Sequence, residues 1–152
     1  MKTAENKIDF ENSLAPWLGK TIKIVDYYLN EMLKQTGLDL SKEQMIVLKK
    51  LHETDGQNQN ELAFITLRDK SSLARLLSKM ERKKYILRKQ DERDKRNNMV
   101  YLTVQGRQVF EQAKPVLREL IDTMEQDITI EQKQMMIQIL KKIQFNFNQK
   151  NS

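Results

Sequence analysis

The segment from Asp69 to Thr103 constrains the fold of this chain more than any other part of the sequence. Asp69 is a suitable N-cap, because its carboxylate can accept hydrogen bonds from the free amides of a first helical turn. Apolar residues then recur at helical spacing, at Leu73, Leu76, Leu77 and Met80. The segment is therefore predicted to open with an amphipathic helix of about four turns.

The opposite face of this helix carries small, hydroxylated or cationic side chains. They are Ser71, Arg75, Ser78 and Arg82, with Ala74 and Lys79 flanking them. Such a face suits a helix that lies in the major groove of DNA. An ordinary solvated helix would show the same pattern, so the residues that follow must decide between the two interpretations.

Two strand patterns follow the helix, at residues 85–89 and 99–102, and the loop at 90–98 between them has no apolar residue. Opposite charges in this loop are expected to brace one another and to leave some cations free for the DNA backbone. These charges are on Asp91, Arg93, Asp94 and Arg96. A helix followed by a hairpin with a charged tip is the element order of a winged helix-turn-helix, and the hairpin is the wing.

A short helix is predicted just before the turn, at residues 60–65. Its inward face should carry Leu62, Ala63 and either Phe64 or Ile65. Residues 41–103 then read as three helices followed by a hairpin, and we call them the winged-helix region.

These motifs together resemble the multiple antibiotic resistance regulator (MarR) family. The matching residues are ELA at 61–63, DKSSLARLLSKMERKKYILRK at 69–89, DERDKR at 91–96 and YLT at 101–103, with Gly106 three residues on. Members commonly have glycine between the recognition helix and the first wing strand, where this chain has Tyr85. The resemblance implies a mainly α fold with a small β-hairpin wing and N- and C-terminal dimerisation helices. It also implies repression by binding to operator DNA.

The positive charge is concentrated in one part of the chain. The protein has 27 basic and 21 acidic residues, a net charge of +6. Residues 68–107 contain thirteen Lys or Arg and five Asp or Glu, a net charge of +8, so the remaining residues sum to −2. This distribution is typical of a DNA-binding surface.

The residues that enzymes most often use are scarce. The chain has no cysteine, a single histidine at position 52 and four unclustered glycines. Thiolate metal sites, common nucleophile–base pairs and phosphate-binding glycine loops are therefore not predicted, and neither an enzyme nor a cofactor is expected.

No run of 18 apolar residues or signal-peptide core is found, so a cytoplasmic protein without membrane spans is expected. The alternative function is a winged helix that binds another protein.

The segments on either side, 1–40 and 104–152, are predicted to be dimerisation helices of one compact subunit. The first helix should run from residues 13–16 to Gln35, and its core stripe consists of Leu18, Ile22, Val25, Leu29, Met32 and Leu33. Ser41 and Thr129 each begin a capping-box pattern, with Gln44 and Gln132. Both terminal helices carry apolar residues off their main stripe, which favours burial against a second copy in a homodimer.

The predicted contacts with double-stranded DNA fall into three groups. The recognition helix should place Ser71, Ser72, Arg75 and Ser78 in the major groove, with Arg75 reading guanine, and Lys70, Lys79 and Arg82 on phosphates. The wing should place Arg93, Lys95 and Arg96 at the adjacent minor groove or its backbone, with Asp91 and Asp94 bracing the wing. From the resemblance, a small aromatic effector is predicted in a cleft lined by Trp17, Tyr27, Tyr28 and His52. Alternatively, the three aromatic rings pack in the dimer interface.

Overall fold

The computed structural model describes residues 6–66 and 68–150, so the outer ends of the predicted segments 1–40 and 104–152 lie outside the described residues. In chain order the elements are α1 (Leu14–Gln35), α2 (Lys42–Glu53), β1 (Gln57–Asn58), α3 (Gln59–Ile65), α4 (Lys70–Arg82), β2 (Ile86–Gln90), β3 (Asn98–Leu102), α5 (Val104–Met124) and α6 (Ile130–Lys150). The predicted fold class, mainly α with a β-hairpin wing, is confirmed.

The hairpin belongs to a three-stranded antiparallel sheet with the strand order β1-β3-β2. Arg88 of β2 pairs with Val100 of β3, and Gln57 of β1 pairs with the same Val100 from the other side. No strand was predicted before residue 85, so β1 is an addition that the structure makes. Two polar residues have no apolar alternation from which a strand could be recognised.

The predicted helix starts are confirmed by their side-chain hydrogen bonds. The Ser41 hydroxyl accepts from the Gln44 amide at 3.2 Å, and the Ser41 amide donates to the Gln44 side chain at 3.3 Å. The Asp69 carboxylate accepts from the Ser72 amide at 2.8 Å. These bonds satisfy amides that have no partner within their own helix, and so fix where α2 and α4 begin.

The chain divides into two compact units, Met1–Leu120 and Ile121–Ser152. The core of the first unit lies mainly in the winged-helix region. Its fully buried side chains include Val47, Leu48, Leu51, Leu62, Leu73, Leu77, Met80 and Val100. Leu29 and Leu33 of α1 and several residues of the first part of α5 join this core, so the C-terminal half of α1 and the first part of α5 pack on the winged-helix region.

Two predictions about inward-facing apolar residues are wrong, namely that either Phe64 or Ile65 faces inward in α3 and that Ile22 faces inward in α1. Phe64 is 82% exposed and Ile65 is 42% exposed, because α3 has only seven residues and Leu62 and Ala63 already fill its inner face. Ile22 of α1 is 53% exposed, since the buried part of that helix is confined to its C-terminal half.

The second unit consists of the end of α5, a turn and α6. The predicted capping box is present, with the Gln132 amide donating to the Thr129 hydroxyl at 3.1 Å and the Thr129 amide donating to the Gln132 side chain at 2.9 Å. No residue of α6, as far as the structure describes it, is buried. Large apolar side chains on several faces of this helix are exposed, among them Met136, Ile137, Ile139, Phe145 and Phe147.

Candidate nucleic-acid interface

Helix α4 presents a row of cations that have no partner within the described part of the chain. Its inner face is fixed in the core by Leu73, Leu77 and Met80. The opposite face exposes Lys70, Ser71, Arg75, Lys79 and Arg82. Within residues 6–66 and 68–150, none of these five side chains has a hydrogen bond or an ion pair, so their charges and the Ser71 hydroxyl are available to an external ligand.

Two other serines of α4 differ from Ser71, because their hydroxyls are already engaged. The Ser72 hydroxyl accepts a hydrogen bond from the Arg68 guanidinium at 2.7 Å, and the Ser78 hydroxyl accepts from the Arg88 guanidinium at 3.1 Å. Both serines are half-buried. From the sequence, both serines were predicted to lie in the major groove, and no role was predicted for Arg68 or Arg88.

Arg88 also forms an ion pair with Glu81 at 3.1 Å, and its main-chain amide donates to the second carboxylate oxygen at 3.1 Å. The hydrogen bond from the Arg88 side chain is the main reason why the pKa of Glu81 is lowered from its ordinary value of 4.5. The Glu81 carboxylate, in the last turn of α4, is therefore favoured in its ionised form, and Arg88 of β2 compensates its charge.

The turn of the wing is held by carboxylates that bind main-chain amides. Asp91 accepts from the Arg93 amide at 3.0 Å, and Asp94 accepts from the Arg96 amide at 3.1 Å. These are local Asx-type bonds, which differ from the side-chain charge pairs expected from the sequence. The side chains of Arg93, Lys95 and Arg96 are exposed and have no partner among the described residues.

Two hydrogen bonds tie the wing to the elements that precede α4. The Asn60 side-chain amide at the start of α3 donates to the Asn97 side chain at 2.8 Å. The Asp55 carboxylate accepts from the Leu102 amide at 2.8 Å. The wing is thus joined to α3 as well as to α4.

A compact junction connects the end of the recognition helix to the start of α5. The chain turns at Lys84, which has a φ of 64°. The Thr103 hydroxyl lies 2.6 Å from the carbonyl oxygen of Lys84 and 2.9 Å from that of Tyr85, and it accepts from the Gly106 amide at 2.9 Å. A Cβ atom at Gly106 would lie 2.0 Å from the Tyr85 oxygen, so only glycine allows this approach.

The four residues predicted to line a ligand cleft do not come together as one set. Tyr27 and Tyr28 line an open groove of about 550 Å³ along α1, together with Lys20 and Lys23. Trp17 lies outside this lining, and its indole donates to the Glu11 carbonyl oxygen at 2.7 Å.

His52 is also absent from the groove and packs against the Phe110 ring at 5.0 Å between centroids. Its Nδ1 atom is buried and has no hydrogen-bond partner in the described part of the chain.

Two further kinds of site are absent from residues 6–66 and 68–150. Those residues contain no group of three or more His, Asp or Glu that could hold a metal ion. They also contain no helix that is both long and apolar enough to cross a bilayer.

Comparisons of sequence and of structure both find similarity to transcriptional regulators. A model of the MarR family matches residues 40–97. The HTH-type transcriptional regulator SarZ of Staphylococcus epidermidis is 29% identical over 129 residues, which cover 85% of this chain and 78% of SarZ. The crystal structure of a mutant MarR from E. coli complexed with operator DNA is 28% identical with a TM-score of 0.76, covering 90% of this chain and 99% of that one.

A further likeness concerns the fold alone. A structure of Bordetella bronchiseptica BpsR, whose DNA binding is regulated by 6-hydroxynicotinic acid, has a TM-score of 0.82 at 16% identity. The alignment covers 91% of this chain and 98% of the BpsR chain.

Proposed function

We propose that the chain is a transcriptional regulator of the MarR family, and that it represses transcription by binding to a pseudo-palindromic operator as a homodimer. The match of residues 40–97 to the family model and the likeness to SarZ and to the operator-bound MarR of E. coli support the proposal. The observation that carries the proposal is the row of unpartnered cations on the outer face of α4. A cation that has no internal partner is free to replace the counterions of DNA phosphates.

The contacts are assigned by exposure and by chemistry. Arg75, at the centre of the exposed face, reads guanine through a bidentate bond, and Ser71 is the hydroxyl that lies free beside it. Lys70, Lys79 and Arg82 bind phosphates. Ser72 and Ser78 border the groove, and their hydroxyls hold arginines of the neighbouring elements.

The wing contributes the second set of contacts. Asp91 and Asp94 shape its turn through main-chain amides, so that Arg93, Lys95 and Arg96 extend from it towards the adjacent minor groove or its phosphates. Cations at a narrow groove are favoured by its negative potential.

Exposed apolar surface supports the homodimer. Segments 1–40 and 104–152 carry exposed large side chains, including Trp17, Ile22 and Ile24 in α1 and Ile139 and Phe147 in α6. Pairing two copies about a two-fold axis would bury such surfaces in one isologous interface. It would also present two recognition helices about 34 Å apart, one turn of DNA.

The proposal is tested by the salt dependence of binding to DNA fragments selected from the genome of the source organism. If six to ten phosphates are neutralised, log affinity should fall steeply with log salt, at a slope of about −0.9 per phosphate. Lys79→Ala should flatten the slope by about 0.9 for each phosphate that is no longer neutralised, or about 1.8 for the two copies in a dimer, on every sequence. Lys114→Ala removes an equal charge from α5, outside the proposed interface, and should leave the slope unchanged. A slope near zero for the wild type would favour a protein-binding winged helix instead.

Arg75→Ala tests the base contact. Loss of a bidentate bond to guanine should cost about 1–3 kcal/mol per half-site and relax the preference at one base position. Equal losses on selected and random DNA would make Arg75 a phosphate contact.

The proposed effector is a small aromatic acid. The groove beside Tyr27 and Tyr28 offers aromatic rings for stacking and two lysines, Lys20 and Lys23, for a carboxylate. Binding there can release DNA only if the effector prefers the conformation that does not bind DNA.

A panel of phenolic acids tests this part of the proposal separately. Active compounds should change Trp17 fluorescence and release DNA over the same concentration range. Replacing both tyrosines by leucine should weaken release and leave DNA affinity intact. If no compound does either, the rings belong to the dimer interface and the repressor proposal stands without the effector.

A further inference from the structure

We propose that Arg88 is a positioning residue that locks the wing to the recognition helix, so that both engage DNA as one rigid unit. This inference rests on the proposed DNA-binding function. It concerns a residue of β2 to which the sequence assigned no role.

Arg88 binds two points on α4 that are about one helical turn apart. Its guanidinium donates to the Ser78 hydroxyl at 3.1 Å and to one oxygen of Glu81 at 3.1 Å. Its main-chain amide donates to the other oxygen of Glu81, also at 3.1 Å. Because the main chain and the side chain of one residue are both held, the strand is fixed in direction as well as in position.

The location of Arg88 in the sheet gives these bonds their effect. β2 lies at the edge of the sheet, with β3 on one side only. The Arg88 amide is turned from β3 towards Glu81, so the open edge of the wing is joined to α4 through this carboxylate. Within the described sheet, β2 is hydrogen-bonded only to β3, and Arg88 adds a polar link from β2 to the recognition helix beyond the packing of Ile86 in the core.

A small rotation at this point would displace the tip of the wing considerably. Arg93 lies five residues beyond Arg88, two of them in β2 and the others in the turn of the wing, so the tip is at most about 16 Å away. A rotation of about 10° would therefore move the tip by up to about 3 Å, which is enough to break a hydrogen bond to a phosphate.

The burial of Arg88 argues against a direct DNA contact. Its side chain is 21% exposed and has a carboxylate and a hydroxyl as partners. The cations of α4 that are assigned to DNA are exposed and have no such partners among the described residues. Ser78 accordingly acts by holding Arg88 and makes no contact with a base.

The test asks whether the wing still contributes to binding when the lock is removed. Arg88→Met keeps an unbranched apolar stem but removes all three guanidinium nitrogens. In the wild type, Arg96→Ala should flatten the salt slope by about 0.9 for each phosphate that it leaves without a cation. In the Arg88→Met background, the same substitution should change the slope by less than a third of that amount.

Two further variants make the comparison specific. Lys114→Met breaks an ion pair of 2.8 Å in α5, and Arg96→Ala should keep its full effect in that background. Arg75→Ala should cost the same affinity with or without Arg88→Met, because the recognition helix remains folded. Far-UV circular dichroism and urea midpoints verify folding, and if Arg88→Met does not fold, the double variant Ser78→Ala, Glu81→Gln replaces it in the cycle.

The outcomes separate this inference from the proposed function. A full effect of Arg96→Ala in the unlocked background would overturn the positioning role, whereas DNA binding itself would stand. If wild-type protein shows no salt-dependent DNA binding, the function fails first. The inference is supported if Arg96→Ala flattens the salt slope in the wild type and in Lys114→Met but not in Arg88→Met.

Discussion

Helices α4 and α6 both carry an apolar stripe at helical spacing, but the two stripes have different environments. In α4, Leu73, Leu76, Leu77 and Met80 are all buried. In α6, no described residue is buried, although Ile139 and Phe147 are as large as any of them. The winged-helix region is therefore stabilised by burial within its own chain, whereas α6 has the surface of a helix that needs a partner.

Because of this difference, the stability of the winged-helix region and the self-association of the chain should depend differently on protein concentration. Burial within one chain stabilises the fold at any dilution, but burial between two copies follows mass action. We expect mutations in the winged-helix region to change unfolding directly. Mutations in α6 should change assembly first and DNA affinity through it.

The largest effect is expected at Gly106. A Cβ atom there would lie 2.0 Å from the Tyr85 oxygen, so Gly106→Ala must displace main chain at the junction between α4 and α5. The free energy of unfolding should fall by about 3 kcal/mol, the upper end of the usual cost of overpacking, in urea titrations. Gly19→Ala is the matched control, since nothing lies within 4 Å of its Cβ, and it should stabilise α1 by up to about 1 kcal/mol. Equal midpoints for the two variants would contradict this account of the junction.

The second effect separates the two helices most directly. Ile139→Asp should weaken self-association at least about tenfold, because it replaces one large apolar side chain by a charge. Sedimentation velocity over a range of concentrations measures it. The neighbouring Gln138→Asp carries the same charge and helix propensity at a polar position and should have a much smaller effect. A monomeric wild type at all concentrations would remove the homodimer from the proposal.

A smaller gain is expected at the end of the recognition helix. Lys84 adopts a left-handed conformation, with a φ of 64°, which is unfavourable for a residue with a Cβ. Lys84→Gly should raise the free energy of unfolding by up to about 1 kcal/mol. Lys79→Gly, in the right-handed interior of α4, should lower it by about 1 kcal/mol. If both variants lost stability equally, Lys84 would not be under conformational strain.

The smallest effect concerns pH. The pKa of Glu81 is lowered mainly by the side-chain hydrogen bond from Arg88, so its ionised form stabilises the fold above the unfolded pKa, near 4.5. That contribution is lost as the pH falls through the lower, folded value. The stability advantage of wild type over Glu81→Gln, at most about 1 kcal/mol for a partly exposed pair, should shrink between about pH 6 and pH 3 in urea titrations. An advantage that grows in acid would reverse the sign of this coupling.

Signals that lie close together in the sequence predicted the fold well. The capping patterns at Ser41 and Asp69 placed α2 and α4 correctly, because caps depend on residues only two or three positions away. Members of the MarR family commonly have a glycine where this chain has Tyr85. In this chain the left-handed conformation falls one residue earlier, on Lys84, so the turn does not need a glycine at position 85.

Contacts between distant elements could not be predicted from such patterns. Ser78 accepts from Arg88 across ten positions, and Asn60 binds Asn97 across thirty-seven. No periodicity relates these residues, so the sequence showed a hydroxylated helix face without showing which hydroxyls were already bonded. Arg68 is only four positions before Ser72, but it precedes the Asp69 cap and lies outside α4, so helical spacing did not indicate this partner either.

The pairing of β1 with β3 has a consequence for the order of folding. Gln57 meets Val100 only after the chain has closed a loop of roughly forty residues that contains α3, α4 and β2. Contacts of short sequence separation form first, so we hypothesise that β1 joins the sheet last and leaves it first. In native-state hydrogen exchange, the amides of β1 should lose protection before those paired between β2 and β3. Equal protection in all three strands would mean that the sheet forms in one step. Earlier loss of protection in β1 would mean that the sheet is completed only after the recognition helix has folded.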